Sequence, residues 1–314
     1  MPKKLTPVPK NFLRRLYLEE KLSSYQIAQK LNCSQSFIMK KLKEYKVPTR
    51  SIQDAKALTK PRYKRKNFNG SLGQKAYLIG FRIGDLYINQ THKNSPTLRI
   101  GTNSTKTAQI ELVEKLFKPY GHIWKSRPYF LKSKTTTRIQ KAVHIRCFVN
   151  RSFDFLKDKK DEIVPWILKS KKYFAAFLAG YIDAEGSFCI CGGDGVAYVG
   201  SQDKNIIHQI QKKLIELGIL CRPPQIKRKK GTRDIRGTIS NEDVWGVWIH
   251  RKNAILKLIN LINPYLKHAD KRRRMKILMN NILERDKKYN RHQRSKWDKL
   301  YLKEDINYVR AFTF

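Results

Sequence analysis

The first fifty residues place apolar side chains at helical spacing in three successive stretches. Ser23 and Gln26 match a capping box at the start of the second stretch, and Ser34 can cap the third. The apolar positions are Leu13, Leu16 and Tyr17, then Ile27, Ala28 and Leu31, then Ile38, Leu42 and Tyr45. This pattern predicts a small all-α domain over residues 1–50, in which a short turn joins the last two helices.

The N-terminal pattern resembles the helix-turn-helix domains of transposases and regulators. The third helix would then enter the major groove of DNA. Its exposed polar residues are Gln35, Ser36, Lys40 and Lys41. The alternative is a three-helix bundle with a basic exterior that serves only for packing. Residues 51–71 lose the periodicity and contain a proline-broken basic run at 60–66, so we interpret them as a linker, either along the DNA backbone or free in solvent.

The remaining sequence contains two copies of one pattern. Residues 78–85 (LIGFRIGD) can be laid over residues 178–185 (LAGYIDAE), so Asp85 and Glu185 lie 100 residues apart. Further pairs keep this register within three residues: Asn103 and Gln202, Gly121 and Gly218, Arg151 and Arg251, Pro165 and Pro264. Such self-similarity indicates a duplicated domain.

Each copy predicts the order helix, two strands, helix, two strands, helix. In the first copy we expect helices at 76–85 and about 110–117, and strands at 87–89, 98–102, 122–129 and 139–149. The matching helix of the second copy spans about 205–217. The predicted fold class is α+β, with tandem pseudo-symmetric αββαββα repeats and a small all-α helix-turn-helix domain.

The last strand of the first copy alternates apolar and polar residues, as in a sheet with one exposed face. The apolar set is Ile139, Val143, Ile145, Cys147 and Val149, and the polar set is Arg138, Gln140, His144, Arg146 and Asn150. We predict further DNA contacts from basic and amide residues of other strands, namely Arg99, Lys125, Gln225, Lys227 and Lys229. Such side chains read guanine and adenine edges, although an ordinary solvated face has a similar composition.

Small residues recur at four-residue spacing before each acid, at Gly80 and Gly84 and at Gly180 and Ala184. On a helix they share one face, so two such helices can approach until their backbones nearly touch. That packing would bring Asp85 and Glu185 together, where they repel each other and oppose the helix dipoles. Mg²⁺ or Mn²⁺ would relieve the repulsion, and paired metals there could activate a water for phosphodiester cleavage.

The charge balance indicates a polyanionic partner. Lysine plus arginine number 67 against 25 aspartate plus glutamate, which gives a formal net charge of +42. Self-repulsion from such an imbalance opposes compaction, whereas a phosphate backbone would offset it. The excess is spread along the chain among aromatic residues, which argues against a local membrane anchor or a merely solvated basic surface. No apolar run is long enough to span a bilayer.

The five cysteines are odd in number and form no CxxC pair: Cys33, Cys147, Cys189, Cys191 and Cys221. We interpret them as reduced, mostly buried thiols without a zinc site. The expected location is intracellular, either cytoplasmic or organellar.

Residues 177–188 (FLAGYIDAEGSF) resemble the signature of LAGLIDADG homing endonucleases nearly residue for residue. The resemblance extends over about residues 72–285, and the first copy departs from it at Gly84 and Leu86, where alanine and glycine are usual. It implies a single chain whose antiparallel sheets form a saddle over double-stranded DNA, with Asp85 and Glu185 as metal-binding acids. It further implies Gln202 as a water-positioning residue, with Asn103 as its counterpart.

The same resemblance implies a basic residue late in each repeat. Lys172 and Lys271, each seven residues after its proline, are our choices, with Lys169 and Lys267 as alternatives. Such a lysine would stabilise developing charge or perturb the attacking water, or it would only contact a phosphate. Asp183 lies about 200° around the helix from Glu185 at roughly 100° per residue, so we expect it to have a structural role outside the metal site.

The sequence thus predicts a monomeric, site-specific, metal-dependent DNA endonuclease that serves intron homing. One alternative is a non-cleaving DNA-binding regulator, which would have no reason to keep two repelling carboxylates. Another is an intron RNA-splicing maturase, but the major groove of A-form RNA is too narrow for a recognition helix. A structural nucleoid protein would explain the charge but not the duplicated motif. The predicted domains are the helix-turn-helix domain 1–50, the linker 51–71, the repeats 72–168 and 169–286, and a basic tail 287–314.

Overall fold

The computed structural model describes residues 8–51, 54–55, 58, 63–90, 95–132, 139–233 and 239–288. The described residues of Met1–Lys64 and Gln90–Thr97 form one compact unit, and those of Arg65–Asn89 and Leu98–Phe314 form a second. The predicted DNA contact Arg138 and almost all of the predicted basic tail lie outside the described residues. The domain boundaries given above remain predictions.

The N-terminal helices have the caps that the sequence predicts. Helix α1 (Lys10–Arg14) continues into a π-helical turn (Arg15–Glu19), and α2 (Ser24–Lys30) and α3 (Gln35–Glu44) follow. The capping box of Ser23 and Gln26 is present, and the Ser34 hydroxyl accepts a hydrogen bond from the Phe37 amide. The fully buried side chains at the centre of the three helices are Leu13, Leu16, Ile27, Ile38 and Leu42. The role of these helices in DNA binding remains a prediction.

The first repeat begins earlier than the periodicity suggests. Its elements are α4 (Leu72–Asp85), β1 (Tyr87–Gln90), β2 (Thr97–Ser104), α5 (Thr107–Phe117), β3 (His122–Lys125), β4 (Tyr129–Lys132), β5 (Ile139–Asn150), a 3-10 helix (Arg151–Leu156) and α6 (Pro165–Leu168). A capping box of Ser71 and Gln74 sets the start of α4, because these side chains satisfy amides that the first turn leaves free.

The single strand predicted over 122–129 is in fact two strands, β3 and β4. Pro128 lies between them, and proline has no amide hydrogen for a sheet ladder. Both strands pair antiparallel with β5, but the two ladders are out of register by one residue. The alternation predicted along β5 therefore breaks, because Ala142 is fully buried and Val143 is only partly buried.

The second repeat has the same order of elements, except that two described strands follow its second helix where three follow in the first repeat. It comprises α7 (Lys171–Glu185), β6 (Gly186–Cys191), β7 (Asp194–Ser201), α8 (Lys204–Glu216), β8 (Gln225–Arg228), β9 (Val244–Ile249), α9 (Lys252–Ile262) and α10 (Ala269–Lys288). The strand orders are β1-β2-β5-β3 in the first sheet, with β4 also paired to β5, and β6-β7-β9-β8 in the second. The predicted α+β class with two αββαββα repeats is confirmed.

The helices bury one face of each sheet in a continuous apolar core. Phe81, Phe117, Phe174, Phe177 and Phe188 are among the largest buried side chains of this core. Such burial is the main favourable contribution to folding, and here it joins both repeats around the α4 and α7 pair. Within the described residues, no helix is both long and apolar enough to cross a membrane.

The cysteine prediction is only partly correct. All five thiols are free, but only Cys147 and Cys221 are buried. Cys191 is exposed, and Cys33 and Cys189 are partly exposed.

Candidate active site

Helices α4 and α7 pack with their backbones in contact. A Cβ atom on Gly80 would collide with the carbonyl oxygen of Phe177, and a Cβ atom on Gly180 would collide with that of Tyr77. Two helices can approach this closely only where neither has a side chain at the crossing point. The close packing predicted from the small residues is therefore present in the structure.

The C-terminal ends of these two helices carry the acids. A Cβ atom on Gly84 would lie 2.6 Å from the Glu185 Cγ atom and 2.9 Å from its Oε1 atom. The Glu185 side chain thus lies against the residue that precedes Asp85. The structure brings the two predicted acids together at one end of the helix pair.

Asp85 is held by a neighbour that the sequence analysis missed. The amide nitrogen Nε2 of Gln109, on α5, donates a 2.7 Å hydrogen bond to the Asp85 Oδ2 atom. Burial raises the pKa of Asp85 to about 6, although the Gln109 hydrogen bond and the positive charges of Lys271 and Lys106 act in the opposite direction. The Asp85 carboxyl thus takes up a proton at a higher pH than an exposed aspartate does.

Glu185 has a more negative environment. Burial raises the pKa of this carboxyl to about 7, and the negative charges of Asp85 and Asp203 add to the effect. Lys271 and Lys159 oppose it, and Lys159 also forms an ion pair of 3.4 Å with Asp203. A cation bound beside Glu185 would relieve both the desolvation and the repulsion.

Lys271, one of the two lysines chosen from the sequence, is near enough to both acids for their charges to interact. It is the third residue of α10, and its ammonium donates a hydrogen bond to the Gly186 carbonyl oxygen. Burial and the charge of Lys106 lower the pKa of Lys271, while Asp85, Asp183 and Glu185 favour its charged form. One lysine therefore faces the carboxylates of both repeats.

The structure does not bring Lys172 to the acids. This residue lies in the first turn of α7, whose last residue is Glu185, so about 20 Å of helix separates the two at 1.5 Å per residue. The alternative Lys169 is exposed at the same distant end. The equal offset from proline is misleading, because α7 begins far from the acids and α10 begins beside them. The other alternative, Lys267, places its ammonium 4.6 Å from the ring centre of Tyr77.

Asp183 has the structural position that its angle on the helix predicts. Its side chain is almost fully buried and bonds to Tyr77 of α4 and to two backbone amides before α10. Burial raises the pKa of Asp183 to about 6 in spite of these three hydrogen bonds.

The predicted water-positioning residues are not engaged with the acids. Asn103 on β2 and Gln202 after β7 are both exposed. Within the described part of the chain, neither forms a hydrogen bond with an acidic side chain. Their roles remain predictions from the resemblance.

The sequence analysis missed three neighbours of the acids, Lys106, Gln109 and Asp203. Lys106 and Asp203 are the N-caps of α5 and α8, and Gln109 lies one turn into α5. The available signal in the sequence was a polar residue, Gln109, among apolar helix positions. Its side chain is 5% exposed, and a buried amide needs hydrogen-bond partners.

Part of the predicted nucleic-acid interface lies on one face of the first sheet, which we call the open face. It carries Arg99, Trp124, His144, Arg146 and Phe148, on the side opposite the buried residues of β2 and β5. The Arg146 guanidinium lies 4.8 Å from the Trp124 ring centre, and that of Arg99 lies 5.8 Å from the Phe148 ring centre. Gln140 lies in β5 as well.

Lys125 does not lie on the open face. Its register partner is Ile145, which is fully buried, so Lys125 points to the helix-covered face and pairs with Glu114 of α5. Trp124 takes the outward position. A difference of one residue decides the face of a strand, and the predicted strand boundaries were too coarse to resolve it.

The corresponding residues of the second sheet are exposed, but they do not alternate strictly. A β-bulge lies between Ile226 and Arg228, and Lys229 follows the end of β8. Gln225 and Lys227 are in the strand, and the Lys227 ammonium lies 4.1 Å from the Tyr198 ring centre.

Both repeats cover a glycine of the sheet with a tyrosine ring. A Cβ atom on Gly101 would strike the Tyr87 ring, and one on Gly200 or Gly246 would strike the Tyr198 ring. An aromatic ring over a strand glycine restores packing that glycine lacks. The Tyr87 hydroxyl is also hydrogen-bonded to His144, and burial and the nearby arginines lower the pKa of His144.

The residues predicted for groove contact on α3 are partly engaged with each other. Gln35 donates to the Ser24 hydroxyl at 3.0 Å, and the Ser36 hydroxyl lies 3.0 Å from that of Ser34. Lys41 forms an ion pair with Glu44 at 3.0 Å. Of the four predicted residues, Lys40 is exposed without a partner among the described residues.

Comparison with known proteins supports the resemblance in the second repeat. Residues 172–259 match the family model of the LAGLIDADG-like domain. This segment is therefore a LAGLIDADG-like domain, as its motif predicted. No curated protein sequence matches the chain significantly.

Three solved structures illustrate the structural likeness. The homing endonuclease I-WcaI bound to its DNA recognition sequence is 19% identical, with 65% of this chain and 86% of that chain covered and a TM-score of 0.46. I-DmoI in complex with DNA and Ca is 18% identical, with coverage of 61% and 89% and a TM-score of 0.38. Full-length DUF199/WhiA from Thermatoga maritima is 14% identical, with coverage of 77% and 70% and a TM-score of 0.44.

Proposed function

We propose that this protein is a site-specific, double-strand DNA endonuclease of the homing type that depends on Mg²⁺ or Mn²⁺. The observation that carries the proposal is the placement of Asp85 and Glu185 together at one end of the helix pair, where the charge of Lys271 interacts with both. Both pKa values are raised, to about 6 and about 7. Such an arrangement opposes folding near neutral pH unless a cation offsets it, so it is expected where a cation is used.

The donor set fits a hard divalent cation that is only partly coordinated by protein. The described residues include no group of three or more histidine, cysteine, aspartate or glutamate side chains arranged to hold a metal. Two carboxylates supply oxygen ligands, and Mg²⁺ commonly completes such a shell with water and substrate phosphates. When bound, the cation would activate water and stabilise the leaving oxygen of the phosphodiester.

The side chains around the acids would divide the remaining tasks. Asp85 and Glu185 would hold the cations, and Gln109 would fix the orientation of the Asp85 carboxylate. The Lys271 ammonium would stabilise negative charge that develops on the phosphate. Gln202 and Asn103 would position water, as the resemblance implies.

Double-stranded DNA is the proposed partner, bound by a monomer. The net charge of +42 supplies the attraction to phosphate. The open face and the residues Gln225, Lys227 and Lys229 would contact DNA, and α3 would add contacts through Lys40. An arginine on a DNA-facing surface can make a bidentate contact with guanine.

The test is cleavage of a randomised duplex library with Mg²⁺, by wild type and by Glu185→Gln. The proposal expects discrete cuts for wild type and none for the variant, with DNA binding retained. Glu111→Gln is the matched control, because Glu111 is exposed on α5, and it should cut as wild type does. Tight binding without cutting by wild type would contradict the proposal and favour a non-cleaving regulator.

A further inference from the structure

Asp183 joins three elements at one buried carboxylate. Its side chain is 1% exposed, and its Oδ2 atom accepts hydrogen bonds from the Tyr77 hydroxyl at 2.6 Å and from the amides of Lys267 and His268 at 2.7 and 3.1 Å. Its Oδ1 atom is buried without a hydrogen-bond partner among the described residues. Helix α4, helix α7 and the residues before α10 thus meet at Asp183.

The fold itself does not require an acid at this position. In the first repeat the corresponding residue is Ile83, which is also buried. A buried carboxylate with an unpaired oxygen loses solvation that its hydrogen bonds replace only in part. An aspartate is therefore unfavourable here if it serves only for packing. Its three hydrogen-bond donors identify the segments that it joins.

What it holds is the end of α10 that carries Lys271. Lys267 and His268 directly precede this helix, and Lys271 is its third residue. The Lys271 ammonium reaches the Gly186 carbonyl oxygen and faces Asp85 and Glu185. A shift of this helix end would move the ammonium away from both acids at once.

We propose that Asp183 and Tyr77 are positioning residues for Lys271. They fix the first turn of α10 against the α4 and α7 pair, so that a single lysine serves the acids of both repeats. In the first repeat, Ile83 stands where the second has Asp183, which agrees with the distant position of Lys172. The catalytic consequence of this inference rests on the proposed nuclease function, whereas the positioning itself does not.

A double-mutant cycle tests the catalytic consequence. Asp183→Asn and Tyr77→Phe are each expected to lower the single-turnover cleavage rate about tenfold or more at saturating protein, because small misplacements cost rate steeply. In a Lys271→Met background, neither change should lower the rate further. An equal fold loss in both backgrounds would show a structural effect that does not act through Lys271 and would overturn the inference.

Tyr181→Phe is the matched control for this cycle. Tyr181 is a second fully buried tyrosine of the helix pair, and its hydroxyl bonds to Ser201 of β7 at 2.6 Å rather than to the residues that precede α10. Any rate loss in this variant should persist in the Lys271→Met background. Its thermal unfolding shows how much stability one buried tyrosine hydroxyl contributes.

A second measurement is independent of nuclease activity. Acetic anhydride labelling followed by mass spectrometry reports the reactivity of Lys271 relative to Lys212, which is exposed on α8. We expect slow labelling of Lys271 in wild type and at least threefold faster labelling in Asp183→Asn and Tyr77→Phe, below their unfolding temperatures. Unchanged labelling would overturn the positioning. Faster labelling in a protein that cuts no duplex would retain the positioning and reject the nuclease.

Discussion

The two halves of the acid site share a backbone arrangement but differ in charge. Gly80 and Gly180 make the same contact from opposite helices. The N-caps of α5 and α8 are Lys106 in the first half and Asp203 in the second, and the third residue after each cap is Gln109 or Ile206. Asp85 therefore has an amide and a cation beside it, and Glu185 has another carboxylate.

A comparison of the two halves separates the residues that the helix crossing requires from the residues that can vary around each acid. The helix crossing tolerates no side chain, so both repeats keep glycine there. The residues around each acid are not restricted by the crossing, so the two repeats differ in charge. The two helices that carry the acids thus pack symmetrically, whereas the charges around the two acids differ. Lys271 is shared by both acids.

The largest expected effect of a single substitution comes from the shared frame. Gly80→Ala and Gly180→Ala should each lower the free energy of unfolding by about 3 kcal/mol, since the new methyl group would overlap a backbone carbonyl of the other helix. Gly73→Ala is the control, because a Cβ there would meet only the Ser71 hydroxyl at 3.7 Å. Urea denaturation measures all three, and a mild effect at Gly80 or Gly180 would refute the close crossing.

The second prediction concerns pH and both acids. Their pKa values of about 6 and about 7 lie above the ordinary values of 3.8 and 4.5. The folded state therefore binds protons more tightly, and this stabilisation is lost as pH rises from about 4 through 7. Relative to wild type, Asp85→Asn with Glu185→Gln should gain stability between pH 5 and pH 8, by about 2 kcal/mol per acid.

Urea denaturation of both proteins at pH 5 and at pH 8, in the presence of a chelator, measures this gain in the free energy of unfolding. Burial lowers the pKa of His268 to about 4, so this residue destabilises the folded state as pH falls. The effect is the same in both proteins and cancels in the difference between them. A pH-independent difference between the two proteins would mean that the acids are not buried together.

The third prediction compares the two sheets in DNA binding. Arg146→Ala should weaken binding by about 1 to 2 kcal/mol and relax sequence preference at one position, because a guanidinium can make a bidentate base contact. Lys227→Ala should weaken all sequences alike and reduce the salt slope by about 1. Lys125→Ala should change neither property, since that side chain pairs with Glu114 on the covered face. Binding to a randomised library at several salt concentrations separates these outcomes.

The smallest expected effect comes from the two N-caps. Lys106→Ala should raise the pKa of Asp85, and Asp203→Asn should lower that of Glu185, each by about half a pH unit, which is below 1 kcal/mol. Carboxyl-carbon NMR titration measures both. Shifts in the same direction would contradict the opposite charges assigned to the two halves.

Much of the fold followed from patterns that depend on a few residues. The Gly180 motif and its copy at Gly80 located the helix pair and the acids, since close packing leaves a spacing that can be read directly. Capping residues such as Ser23 and Ser34 fixed helix starts. Each of these features depends only on residues that are close together in the sequence.

The parts that sequence could not supply depend on distant contacts. Gln109 and Asp203 reach the acids from separate helices, and no spacing relates them to the motif. Lys172 and Lys271 have the same offset from proline and both lie in the first turn of a helix, but only α10 begins beside the acids. The face occupied by Lys125 depended on a single residue of register.

The most direct test of the central claim, a cation site shared by Asp85 and Glu185, is the effect of Mg²⁺ on thermal unfolding at pH 8. Wild type should be stabilised by millimolar Mg²⁺, because the ion binds the folded state and relieves the repulsion of the acids. Asp85→Asn with Glu185→Gln should begin more stable and show little response. An equal rise in unfolding temperature for both proteins would contradict the account.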